Sequence, residues 1–261
     1  MKKNITLSVF TAIAFILMVV VNILAVVLPI NGVTPGQVSD SYPNLFAPAG
    51  FTFSIWGLIY LLLLGFVVYQ FTTLKKENKC LDFLNKLRVL FIVSSLLNTA
   101  WIFSWHYKII PLSTLLIIGI LICLILIIRL LKNQDLSLSQ YTFLRLPFSV
   151  YFGWITVATI ANITVLLVSL GFNGFGISEE IWATIIILIG AIIAILTILK
   201  NNDIAYGLVI LWAYFGILSK HIAADGFAGQ YKMVIYTTAL SMVFVFLSIV
   251  KVYISKVKRK K

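Results

Sequence analysis

Three short stretches set aromatic rings and amides at helical intervals. In FTFSIWGLIY, Phe53, Trp56 and Tyr60 stand at i, i+3 and i+7; in NTAWIFSWHY, Asn98, Trp101 and Trp105 repeat that interval. In WITVATIAN, Trp154, Ala158 and Asn162 fall at i, i+4 and i+8. Each set lies on one face of a helix. Such faces supply flat π surfaces with indole and amide donors at their edges, a lining suited to a flat apolar ligand. The same asparagines also serve as helix-to-helix hydrogen-bond glue, the commoner role inside a membrane. Trp105 and Trp182 suit an aromatic belt at the membrane boundary. Trp212 is mid-span and has no partner pattern.

The elements that carry these faces are membrane spans. Of 261 residues, 61% are hydrophobic, and 20 basic and 8 acidic side chains make up the whole charge. A helix crossing the hydrocarbon core needs about 20 apolar residues. Segments of that kind lie near 5–30, 51–73, 89–107, 111–131, 146–170, 181–199, 204–222 and 232–255. The first is too long for the core of a signal peptide, which runs to about 15 residues at most. The expected fold is therefore an all-α integral membrane protein with eight spans.

Basic residues resist translocation. With the N-terminus inside, 17 of the 20 basic residues fall at inner ends and loops, and only Lys108, Lys220 and Lys232 fall outside. Both termini are expected in the cytoplasm. Taking ~1.5 Å of rise per residue, Trp56 lies about 8 Å below an outer end near Phe51, and Trp101 about 9 Å below one near Tyr107. Trp154 stands about 13 Å above Arg145, near the midplane. The three indoles can converge between the middle of the bilayer and its outer third.

What the sequence lacks narrows the function. The acidic residues Asp40, Glu77, Asp82, Asp135, Glu179, Glu180, Asp203 and Asp225 read as loop or helix-end positions, and so do the basic ones. Pumps and ion-coupled carriers usually keep ionisable groups inside their spans. His106 and His221 sit at outer helix ends without metal-ligand companions, and backbone or water bonding is their expected role over axial ligation of a haem iron. Cys80, in an inner loop, and Cys123, in mid-membrane, form neither a disulfide framework nor a metal site. No metal site is expected, and phosphate-binding, dinucleotide and hydrolase motifs are absent. The net charge of +12 reflects topology rather than nucleic-acid binding. The tail KVYISKVKRKK is expected against anionic lipid headgroups, and Val250 just before it, with Tyr253 and Lys256 in it, fits the loose cholesterol-contact pattern.

The segments PNLFAPAGFTFSIWGLIY, LLNTAWIFSWHY and YFGWITVATIAN resemble, in order and spacing, three stretches of the TspO/MBR family, the translocator or tryptophan-rich sensory proteins. These are the proline-bearing approach to the second helix with W-x-x-x-Y, the N-x-x-W of the third, and the W-x-x-x-A-T-x-x-N of the fifth. The resemblance covers roughly residues 1–170. It implies a TspO-like five-helix bundle there, with three additional transmembrane helices and a basic tail over 171–261. It also implies a pocket under the first outer loop, with Trp56 and Trp154 in it and Asn98, Trp101, Ala158, Thr159 and Asn162 as matching pocket or packing residues; Pro48, Phe53, Tyr60 and Trp105 complete the expected ligand-binding set from the loop and the helical faces. Where the family commonly has a Pro-Pro pair, this chain has Ala47, Pro48 and Ala49, and Leu45 or Phe46 replaces a loop tryptophan.

The resemblance implies a receptor, sensor or carrier for a flat lipophilic ligand: a tetrapyrrole such as protoporphyrin IX or haem, or a sterol-like molecule. No cofactor is required. Light- and oxygen-dependent porphyrin degradation, with Trp56 and Trp154 as redox relays, is the alternative, and small-molecule transport a further one. The expected location is a bacterial cytoplasmic membrane, with lipids as the other partners.

Overall fold

The computed structural model describes residues 2–72 and 78–258, and the side chains of 5–72 and 83–258. The inner-side assignments of Lys75, Lys76, Glu77 and 259–261, and those resting on the side chains of Lys2, Lys3, Lys79, Cys80 and Asp82, lie outside the described residues.

The helices are α1 (Lys2–Val27), α2 (Pro35–Asp40), α3 (Ile55–Thr72), α4 (Asn78–His106), α5 (Ile110–Lys132), α6 (Leu138–Gln140), α7 (Leu146–Ser169), α8 (Glu179–Asn201), α9 (Ile204–Ile222) and α10 (Lys232–Lys258). All regular structure among the described residues is helical, and eight helical stretches are long and apolar enough to cross a membrane. Helices suit that setting because every backbone N–H and C=O is satisfied within the segment.

Local chemistry moves several expected boundaries. The fifth span begins at Leu138, not near 146, because Ser137 and Gln140 form a reciprocal capping box and a π turn over Tyr141–Arg145 feeds into α7. Ser178 caps α8 and Asp203 caps α9 by accepting from Tyr206 N at 3.1 Å. Phe53 lies in a 3-10 turn over Gly50–Ser54 that precedes α3, so it does not share an α-helical register with Trp56 and Tyr60.

The chain divides into two compact units. One comprises Met1–Val38 and Ile55–Ile155, the other Ser39–Ser54 and Thr156–Lys261. In the first, α4 packs on α1 and α5, and α1 also packs on α3. Its core holds Phe66, Phe91 and Phe148, edge-to-face at centroid distances of 5.0 to 5.7 Å. Arg88, expected at the inner end of the third span, is fully buried because α4 starts eleven residues earlier than that expectation. Its guanidinium donates to the Gln70 side chain (3.0 Å), the Gln70 carbonyl (3.3 Å) and Asn85 Oδ1 (2.9 Å). Hydrogen bonds to its donors offset part of the cost of burying that charge.

In the second unit, α10 packs on α8 and α9, and the 50–54 turn packs on α9. Two glycines permit close approach. A Cβ at Gly216 would overlap the Thr52 side chain, and one at Gly190 would lie 2.6 Å from the Tyr214 hydroxyl, which donates to the Ile187 carbonyl.

Candidate functional site

The first unit gathers aromatic side chains from α3 and α7. Trp56, half-buried on α3, stacks on Tyr60 one turn later, with centroids 5.4 Å apart and planes 20° from parallel. From α7, Tyr151 and Trp154 meet the same indole edge-on at 5.9 and 6.3 Å. Tyr151 and Trp154 stand at i and i+3, so one helical face delivers both rings. Each such ring contact is worth about 0.5–1.5 kcal/mol beyond its burial.

A chain of amides stands behind these rings. The Asn22 amide of α1 donates to Asn98 Oδ1 at 2.8 Å, and Asn98 Nδ2 donates to the Tyr151 hydroxyl at 3.2 Å. Asn22 also donates to the Met18 carbonyl at 2.8 Å. Three helices thereby fix the ring that abuts Trp56. The Tyr60 hydroxyl is buried and meets no hydrogen-bond partner among the described residues.

Trp101 and Trp105 stack on each other at 5.8 Å, 20° from parallel. Trp105 is buried, not a belt residue: its indole donates to the Pro35 carbonyl at 3.1 Å, pinning α2 to α4. Asn31, held at a positive φ of 56°, donates to the His106 carbonyl at 3.0 Å and makes a second stitch. The structure thus brings together Trp56, Tyr60, Trp154 and Asn98, with Trp101 and Trp105 as a separate stacked pair. Sequence reasoning missed Asn22 and Tyr151. Asn22 was visible as the one amide inside an apolar first span, and Tyr151 as the ring one turn before Trp154.

Pro48, Phe53, Ala158, Thr159 and Asn162 belong to the other unit. Pro48, Thr159 and Asn162 are buried, and Phe53 and Ala158 half-buried. Ala158 and Asn162 continue α7 one and two turns beyond Trp154.

The 39–54 segment of that unit is bonded to α9. Ala49 N donates to the Gly216 carbonyl at 3.0 Å, His221 Nε2 to the Leu45 carbonyl at 2.9 Å, and Trp212 Nε1 to the Thr52 carbonyl at 2.9 Å. Trp212, which had no pattern in the sequence, also meets Phe51 edge-on at 5.5 Å. Asn44 Oδ1 accepts from Phe46 N and Ala47 N, turning the chain and burying Leu45, Phe46 and Ala47. Both histidines bond backbone, His106 through Nδ1 to the Ile102 carbonyl at 2.7 Å. Among the described residues no group of three or more His, Cys, Asp or Glu is placed to hold a metal ion.

The family model described as TSPO-like protein matches residues 8–251, which takes in both units and all eight spans. Neither a curated protein nor a solved structure gives a significant match. With three motifs in order, the helical fold and a match over nearly its whole length, the chain belongs to the TspO/MBR family.

Proposed function

We propose that the protein is a membrane receptor or carrier for a flat lipophilic ligand, most simply a tetrapyrrole. The observation that carries this reading is the Trp56, Tyr60 and Trp154 cluster, braced through Tyr151 by the Asn98 and Asn22 amides. Rings held by packing and second-layer hydrogen bonds present a preorganised π surface. Recognition in this reading rests on stacking against these rings, which suits protoporphyrin IX or haem. Ligand binding is assigned in this reading to residues 1–170, and 171–261 are the added spans. In this reading both termini face the cytoplasm of a bacterial cell. Titrating purified protein with protoporphyrin IX and following tryptophan fluorescence tests the reading. Saturable quenching is expected, and undiminished quenching in a Trp56→Phe, Trp154→Phe double variant sinks the proposed site.

The 6.3 Å edge contact between Trp56 and Trp154 favours one second reading, porphyrin photo-oxidation with an indole as the electron relay. The porphyrin and oxygen would supply that chemistry. Under illumination, a porphyrin band that fades no faster than free dye leaves a binder alone.

A further inference from the structure

A groove of about 1040 Å³ opens on the first unit between α1, α4 and α5. Thr6, Leu7 and Phe10 come from α1, Asn85, Lys86, Val89 and Leu90 from α4, Leu126, Arg129 and Leu130 from α5, and Asn133 from the cap that follows α5. The lining is graded along the helix axes. Because α1 and α4 run from the basic end of the bundle and α5 runs towards it, Thr6, Asn85, Lys86, Arg129 and Asn133 share the outermost level of that end. Phe10, Val89, Leu90 and Leu126 lie about one turn deeper. The groove therefore has a cationic, amide-bearing mouth and an apolar floor aligned with the bilayer normal. Among the described residues lining it, none is acidic. Lys86, Arg129 and Asn133 are exposed, and Val89 and Leu126 are exposed apolar wall.

We infer that this groove is a seat for one anionic phospholipid of the basic, cytoplasm-assigned leaflet. The phosphate lies between Lys86 and Arg129 with Asn133 as a further donor, and an acyl chain runs along Phe10, Val89, Leu90 and Leu126. Charge complementarity selects the headgroup. Arg129 presents a planar fork of donors that matches a phosphate, and basic recesses between spans on this side of a membrane suit acidic headgroups. A free phosphate satisfies the mouth alone and leaves the apolar floor uncovered; a lipid covers both. The adjoining Asn85 accepts from buried Arg88, so its amide is oriented before any lipid arrives. The seat shares no lining residue with the Trp56 cluster.

The test uses the full chain in nanodiscs containing phosphatidylglycerol and phosphatidylcholine, with native mass spectrometry counting retained lipids. Wild type is expected to retain phosphatidylglycerol preferentially, by about fivefold per cation engaged. Arg129→Gln with Lys86→Gln should bring the preference near parity. Leu126→Trp, which fills the floor and keeps both cations, should lower retention as well. Lys256→Gln with Lys258→Gln, in the tail, should leave the preference intact. A photoactivatable phosphatidylglycerol should cross-link within 6–10, 85–90 and 126–133, and millimolar inorganic phosphate should not displace it. The proposal falls if the tail variant alone abolishes the preference, if both lipids are retained equally by wild type, or if cross-links map elsewhere. Displacement by free phosphate also overturns the lipid assignment. Circular dichroism of each variant separates lost binding from lost fold.

Discussion

Asn22 and Asn98, 76 positions apart, form a side-chain hydrogen bond of 2.8 Å, fully inside the first unit. Asn98 relays it to the Tyr151 hydroxyl. Asn98 therefore acts as glue between helices, and it also orients the ring against which Trp56 packs.

Asn22→Leu should destabilise the protein by about 0.6–2 kcal/mol, the range for interhelical hydrogen bonds in membranes. Asn98→Leu should cost more, since it also strips Tyr151 of its donor. A double-mutant cycle followed by denaturant unfolding in detergent checks this. A coupling energy near zero would mean that the bond contributes nothing.

Tyr60→Phe removes a buried hydroxyl with no partner among the described residues. The apo protein should be unchanged or more stable by up to about 1 kcal/mol. If the hydroxyl meets the edge of a bound porphyrin, affinity should fall about fivefold. Thermal melting and a protoporphyrin IX titration read the two effects separately.

Gly216→Ala drives a methyl into the Thr52 side chain and should cost about 1–3 kcal/mol. Adding Thr52→Ala removes the atoms in conflict and should restore most of the loss. Limited proteolysis of the 39–54 segment is the direct readout, with faster cleavage in the single variant than in the double.

Gln70→Leu removes the side-chain acceptor of the buried Arg88 Nε and should cost about 1.5–3 kcal/mol. Arg88→Met, which removes the charge together with its need for partners, should cost less. Unfolding midpoints that rank the two variants the other way would contradict this account of the burial.

Trp105→Phe keeps the stack on Trp101 but loses the bond to the Pro35 carbonyl. The expected loss is about 0.5–1.5 kcal/mol, with faster hydrogen exchange over residues 35–40.

The spans were legible because lipid leaves the backbone one solution, and runs of Leu, Ile and Val announce it. Trp56 and Trp154 were legible because their faces repeat at helical intervals, and the structure sets them ring to edge. Trp212 was not, since its partners Thr52 and Phe51 lie about 160 positions upstream and leave no periodic trace. Phe53 misled because an i+3 interval reads alike in α and 3-10 geometry until a turn breaks the register at Ile55. Arg88 looked like a boundary marker, and only the partners Gln70 and Asn85 reveal it as an interior residue.

The attachment of residues 39–54 to α9 sets an order of events during synthesis. The Ala49 amide and the Leu45 and Thr52 carbonyls leave the ribosome between 160 and 176 residues ahead of Gly216, His221 and Trp212, the groups that satisfy them. Until the seventh span has emerged, this stretch has no native bonds to α9. A nascent chain arrested near residue 200 should therefore expose it to added protease, and one arrested after α10 should shield it.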